Sequence, residues 1–404
     1  MTTPAHLPDT AKTRGFVALL LTNLMMNGGF FMVIPLISVH YVNDLGWAAG
    51  TIGLVLAARQ MTQQGLTVFG GALSDRLGPR GLILTGLLVR ALGFGSMGWA
   101  NDFTTLLAAA LLSGVGGSLF DAPKNAAVAA LTSTADRTRA FSLMGVTGNL
   151  GMVIGPLIGA ALLHTDFQTV ALASAFVYVL AFFLLAPALP QLRTTATTAG
   201  LAGLGIVIRD RRFVIFTVLL MGYSVLVVQL NVAVTLKGSA MAGSVAVPWL
   251  YGVNAGLAIA LQYPLLRLAE RLLPLPLVLI LGVGFATAGL AGMALATTFP
   301  MLLGCVAVFA LGMMLGQPTQ QTLTAQLAQP GLYGAYFGFG ALSMGVGGAL
   351  GNAFGGGLYD LGNHLHFPAL PWLTFAALGA LTALGLWWHL RVPHERTPKQ
   401  THVT

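Results

Sequence analysis

Charged side chains are scarce in this chain: Asp, Glu, Lys and Arg make up 7% of the 404 residues, against 56% apolar residues. So little polar surface cannot clothe a water-soluble globule of this length, and the remaining class is a chain whose solvent is lipid. Cysteine is nearly absent. Cys305, the single one, lies within an apolar run, which excludes an intrachain disulfide and reads as a small buried hydrophobe. No G-x-x-x-x-G-K-S/T loop is present to cradle nucleotide phosphates, and the short connections leave no room for a nucleotide-binding domain. Uphill work would therefore draw on an ion gradient, with no cofactor. The histidines stand mainly at run ends or in the tails and never join cysteines at ligand spacing, so no metal site is expected. No constellation for covalent catalysis is visible either, and the chain does not read as an enzyme.

What is present is hydrophobic length. A hydrocarbon core of about 30 Å is crossed by roughly 20 apolar residues in a helix, and twelve such runs can be counted, from 15–39 at the start to 370–390 at the end. The expected fold is an all-α integral membrane protein of twelve transmembrane helices. Frequent glycine, 52 residues, suits close helix packing in lipid. The polar start up to Thr13 has no cleavable-signal pattern, so the first run is expected to remain as a span.

The net charge of +8 reports topology and not a nucleic-acid partner. With the amino terminus in the cytoplasm, Lys12, Arg14, Arg76, Arg80, Arg137, Arg139, Arg193, Arg209, Arg211, Arg212, Arg267, Arg271, Arg391, Arg396 and Lys399 fall inside, and the outer loops carry only Lys237. Asp44, Asp102, Asp166 and Asp360 fall outside. Both termini are then cytoplasmic, in a bacterial inner membrane.

The longest polar interruption divides the runs six and six, giving an amino-terminal bundle over 1–190, a cytoplasmic linker over 191–211 and a carboxy-terminal bundle over 212–404. The apolar middle of the linker suits either the inner membrane surface or a flexible connection. A step of about 195 residues carries Asp75-Arg76 to Glu270-Arg271, Pro123 to Pro318 and Ala140-Phe141 to Ala335-Tyr336. This is a parallel repeat, related by an axis along the membrane normal, with a substrate path between the halves.

Two motifs carry a family resemblance. Gly71-x-Leu73-Ser74-Asp75-Arg76-x-Gly78-x-Arg80 between spans two and three is similar to the loop motif of the major facilitator superfamily, and Gly151-x-x-x-Gly155-Pro156-x-x-Gly159 in span five to the motif of its drug and proton antiporters. Runs such as FFMVIPLIS, RQMTQQGL and LSGVGGSLFDAPK extend the resemblance to that group over most of the chain. It implies two six-helix bundles, alternating access and efflux of small lipophilic compounds in exchange for protons, by a monomer in the bilayer. A dedicated sugar, amino acid or organic acid transporter, or a membrane sensor or scaffold, are the alternative readings. Physically, Asp75 can accept from the free N–H groups at the start of a neighbouring helix, expected to be span eleven near Tyr333, when the cytoplasmic side is shut. The glycines at every fourth position make a smooth packing stripe in which Pro156 should bend the helix. The chain departs from the resembled exporters at Thr22-Asn23, where they have an acid before the Asn, and it lacks, between Asn101 and Pro123, the span-four arginine common elsewhere in the superfamily.

Four charges stand inside spans: Arg59, Arg90, Asp121 and Lys124. Such groups cost a few kcal/mol by insertion scales and mark function by default. Asp121 is the sole acid at that depth, and Lys124 three residues on is close enough to pair with it. Asp121 reads either as a proton-coupling site, alternating between paired and protonated states, or as a permanently paired structural acid. Arg59 and Arg90 either brace the bundle or meet substrate. Asn27, Phe31, Gln60, Tyr223, Gln229, Asn231, Tyr263, Gln317, Gln321 and Tyr336 are polar or aromatic groups within spans and are candidates for the cavity wall. A wall poor in acids suits neutral, zwitterionic or weakly anionic lipophiles better than strong cations.

Overall fold

Proline, glycine and short acid caps punctuate the apolar runs, and the helices start and stop at them. The computed structural model describes residues 9–133, 137–192, 200–329 and 332–391. In the first half, α1 (Asp9–Ser38) runs on through a π turn to Asp44, followed by α2 (Ala49–Leu77), α3 (Pro79–Met97), α4 (Phe103–Leu131), α5 (Arg137–Leu163) and α6 (Phe167–Leu185). A connecting helix, α7 (Gly200–Arg209), lies within the expected linker. In the second half, α8 (Arg211–Val227) and α9 (Ala233–Ala242) make one span through a 3-10 turn, followed by α10 (Ala246–Leu272), α11 (Leu275–Met293) and α12 (Phe299–Leu327). α13 (Tyr333–Leu342) and α14 (Gly348–His364) make another span through a π segment, Ser343–Gly347, and α15 (Leu370–Arg391) is last. These are the twelve expected spans.

Local chemistry sets the ends. Asp102 and Asp166 cap α4 and α6 by accepting from the backbone N–H of Thr105 and Thr169, and those bonds hold both carboxyl groups below their usual range. Gly78 takes φ +83° between α2 and α3, a region costly for residues with a Cβ, and Pro79 opens α3 where its missing N–H is harmless. The sharp turn of the loop motif follows from these two residues.

The repeat is visible in the packing. α3 lies against α4 and α6 in the first half as α11 lies against α12 and α15 in the second, and α2 meets α4 as α10 meets α12. A Cβ on Gly86 would stand 2.8 Å from the Gly116 carbonyl oxygen, and one on Gly282 3.0 Å from that of Gly312, so both halves use glycine for the same close crossing. Between the halves, α2 packs on α14 and α5 on α10. Among the described residues, α2, and α13 with α14, are absent from the stretches that pass for membrane spans on length and apolarity alone. Polar and glycine residues in them pack against other helices, some across the halves as Gly53 does on Asn352 and Gly356 on Ala49, and this use of polar and small side chains lowers their apolarity.

At the end lacking the arginine clusters the halves interlock. The start of α2 has Ala48 at its cap position, with no side-chain bond, and Asp360 of α14 supplies the cap from the opposite bundle. Its carboxylate accepts from Ala49 N at 2.9 Å and Gly50 N at 2.6 Å. Asn43 donates to Ser239 Oγ at 3.0 Å, and Ser38 to the Asn231 carbonyl at 3.2 Å. Loss of a helix cap costs about 0.5–2 kcal/mol, or roughly 2- to 30-fold in an equilibrium. Asp360→Ala is therefore expected to open this end, read as longer distances between spin labels placed on either side of it. Unchanged distances would show that the bond does not hold the halves together.

Lys237, read as an outer-loop residue, belongs to α9, where its ammonium donates to the Met293 carbonyl at 2.6 Å and lies 5.3 Å from the Trp372 ring centre. Its apolar flanks and bonded head allow a lone cation inside a helix near its end.

Candidate functional site

A cavity of about 500 Å³ lies between the halves. On α5 its lining runs from Met144 to Met152, in the part of the helix nearer the arginine-bearing end, and Gly145, which lines it, has nothing within 4 Å of its open face. At the end lacking the arginine clusters, the bonds made by Asp360, Asn43 and Ser38 join the two halves beyond the cavity. The first half contributes Asn23, Asn27, Phe30 and Phe31 from α1, Arg59 and Gln60 from α2, Lys124 from α4, and Asn149 from α5. The second half contributes Asn231, Tyr251, Asn254, Gln262 and Gln317, with Met313, Met314 and Met344 as a soft apolar wall. Arg59 and Lys124 are its charged lining residues, both basic.

These side chains form a bonded network. Asn23 is 3% exposed; its amide donates to the Met144 carbonyl at 2.8 Å and to Thr147 Oγ1 at 2.9 Å, while its oxygen accepts from Lys124 Nζ at 3.2 Å. Lys124 thus joins α4 to α1, and Asn23 joins α1 to α5. Asp121 and Lys124 make no ion pair; Asp121 Oδ2 instead accepts from Gln63 Nε2 at 2.7 Å. Three residues along α4 bring the two groups onto adjacent but diverging faces, each facing a better partner on another helix. Asp121 itself lies outside the cavity lining.

Arg59 and Arg90 have different roles. The Arg59 guanidinium donates to Gln63 Oε1 at 2.7 Å and Gln60 Oε1 at 3.1 Å, lies 4.8 Å from the Phe30 ring centre, and leaves its buried Nε without a protein partner. It is a wall residue. Arg90 is boxed by Phe30, Phe94 and Tyr178 at 5.4 to 5.6 Å and does not line the cavity, so it braces the bundle.

Of the expected wall residues, Asn27, Phe31, Gln60, Asn231 and Gln317 are brought together in the cavity. Five are not. Tyr223 is buried against α12, with its hydroxyl toward the Gly312 carbonyl; Gln229 is bonded to the Val225 and Gly351 carbonyls. Tyr336 donates to Asp210 Oδ2 at 2.7 Å, fastening α13 to the cap of α8. Tyr263 is 72% exposed, and Gln321 is also exposed and outside the lining. In the three buried cases a polar group inside an apolar run bonds to another segment of the bundle, although the Gln229 oxygen has no protein partner. Asn149, Tyr251, Asn254, Gln262 and the methionines belong to the wall but not to the expected set; a signal for the last group was the recurrence of Met within spans.

The span-five stripe packs as its spacing implies. A Cβ on Gly151 would be 2.6 Å from the Leu24 carbonyl oxygen, while those on Gly155 and Gly159 would strike the carbonyls of Gly28 and Met32. Pro156 lies within α5 between them. In the loop motif, Arg80 donates to the Ala186 carbonyl at 2.7 Å, tying α3 to the end of α6. Only the helical backbone of Gly71, Asp75 and Arg76 is described; the Asp75, Arg76 and Tyr333 side chains lie outside the described residues.

The family model described as Major Facilitator Superfamily matches residues 19–351. The chain is 41% identical over 380 residues to the multidrug resistance protein MdtH of Cronobacter sakazakii, covering 94% of each, and 41% identical over 384 residues to that of Yersinia enterocolitica, covering 95% of this chain and 96% of the relative. Among solved structures it resembles the nucleoside transporter NupG, with a TM-score of 0.81 at 12% identity over 93% of this chain and 100% of that one. A peptide-family (POT) transporter gives 0.77 at 13% identity over 93% and 95%. At such identities these structures speak for the fold alone.

Proposed function

The chain belongs to the major facilitator superfamily, and from that premise we propose that it exports small lipophilic compounds by alternating access in exchange for protons, with Asp121 as the proton site. The observation that carries the reading is the cavity between the halves: methionine and aromatic walls that adapt to varied apolar bodies, and amide groups from both halves. The positive-inside pattern supports a cytoplasmic arginine-bearing end with both termini inside, and the bonds joining the halves at the other end support reading this state as inward-facing. The name of its relatives, multidrug resistance protein, supports a broad cargo range. Arg59 and Lys124, with no acid among the described lining residues, favour neutral or acidic cargo over lipophilic cations. The transporter works as a monomer in the bilayer, driven by the proton gradient and without a cofactor.

Proton release from the purified protein on addition of cargo tests exchange directly. A weakly buffered sample should acidify when a neutral lipophilic compound binds; binding with no proton released would count against antiport. The loop motif adds a gating prediction. Asp75→Asn is expected to weaken the contact that shuts the cytoplasmic side, and a coupling of about 1–3 kcal/mol corresponds to roughly 5- to 150-fold. The inward-open population, read by spin-label distances across the cytoplasmic mouth, should rise. Unchanged distributions would remove Asp75 from gating.

A further inference from the structure

Asp121 is outside the cavity, yet it is connected to the wall and beyond it. Gln63 Nε2 donates to Asp121 Oδ2 at 2.7 Å, and Gln63 Oε1 accepts from Arg59 Nη1 at 2.7 Å. Arg59 Nη2 donates to Gln60 Oε1 at 3.1 Å, and Gln60 Nε2 reaches the Met344 carbonyl, in the π segment of the other half, at 3.5 Å. The chain therefore runs from α4 through α2 to the second bundle. Its polarity is set by chemistry: a guanidinium only donates and an ionised carboxylate only accepts, so the Gln63 amide has one orientation that satisfies both. The last link is the longest, and it is the one that crosses between halves.

We propose that Gln63 is the positioning residue that transmits the protonation state of Asp121 to Arg59 in the cavity wall and, through Gln60, to the contact with Met344 that holds the inward-facing state. The proposal rests on the reading of Asp121 as the proton site. An ionised Asp121 makes a charge-assisted bond, roughly twice as strong as a neutral one, and anchors Gln63 and hence Arg59. Protonation weakens the anchor and slackens the chain as far as its longest link. Cargo that engages Arg59 and Gln60 draws them from the same partners. Either event, proton or cargo, releases the inward-facing state, and neither is needed in the presence of the other, which is the logic of exchange. Segments with π geometry are frequent at functional sites, and Ser343–Gly347 is where such a release would be absorbed.

The charged and titratable groups sharing these surroundings are Arg59 on α2, Arg90 on α3, Lys124 on α4 and Tyr178 on α6; among the described residues α1 and α5 bring none. No other acid among them competes for the role.

The test needs no cargo. Spin labels at Ser142 on α5 and Thr322 on α12, both exposed and nearer the arginine-bearing ends, in a Cys305→Ala background, report the cytoplasmic mouth as pH is varied. The wild type should lose inward-open population on acidification. Asp121→Asn and Gln63→Leu should each give a distance distribution that no longer changes with pH, while infrared difference spectra of Gln63→Leu still show the Asp121 carboxyl titrating. Gln63→Glu keeps the side-chain length and adds a second carboxylate beside the first; it should retain a pH response with its midpoint displaced by about a unit or more. A wild-type pH response in Gln63→Leu, with Asp121→Asn flat, would overturn the role of Gln63. An unshifted midpoint in Gln63→Glu would do the same. Persistence of the response in Asp121→Asn would instead overturn the proton site on which the proposal rests, and a wild type insensitive to pH would overturn both.

Discussion

Asp121→Asn is expected to abolish pH-gradient-driven accumulation in inverted vesicles while leaving cargo binding intact. The amide keeps an oxygen that can accept from Gln63, so the geometry around α2 and α4 survives, but it cannot lose and regain a proton. One pH unit is worth about 1.4 kcal/mol, so exchange of one proton per cargo sustains an accumulation of about tenfold for each unit imposed. The variant should show a ratio near one at any gradient. If it accumulates cargo with the wild-type pH dependence, the proton travels elsewhere and the role of Asp121 falls.

The second large effect is structural. Gly155→Leu drives a side chain into the Gly28 carbonyl on α1, at a crossing where backbone meets backbone and neither helix can yield a flexible group. Overpacking of this kind costs about 1–3 kcal/mol and occasionally more, and here it also parts the α1–α5 contact that positions Asn23 and Lys124. Little monodisperse protein should be recovered after detergent extraction, and its melting temperature should fall. Gly145→Leu on the same helix, where an added Cβ meets nothing, is expected to fold normally. Equal behaviour of the two variants would show that the stripe does not set the packing.

The fold was largely legible in the sequence because lipid imposes a length rule on every span and the positions of the polar breaks leave little freedom. The least apolar spans, containing Arg59 and Gln60 in one case and Asn352 and Asp360 in the other, were still among the twelve runs counted, and they form one of the pairs that meet across the halves. The cavity was legible only in part. Asn27 and Gln60 face it, whereas Tyr223 and Gln229 answer carbonyls on neighbouring helices, and the two cases look alike in an apolar run. In a bundle surrounded by lipid every face is apolar, so periodicity does not reveal which one turns inward. For the same reason the partner of Asp121 was not legible: spacing pointed to Lys124 on its own helix, and the bond is made by Gln63 on another. The outer cap of α2 by Asp360 joins residues more than 300 positions apart, which no local pattern records.

The central claim is exchange of cargo for protons through one alternating cavity. Its most direct test is the lumenal pH of proteoliposomes holding the purified protein, with an acidic lumen and a panel of neutral and acidic lipophilic fluorophores supplied outside. The account predicts that each compound carried accumulates in the lumen while the lumenal pH rises, and that protein-free liposomes show neither change. Accumulation with no proton leaving, or with protons moving in the same direction as the cargo, would contradict it.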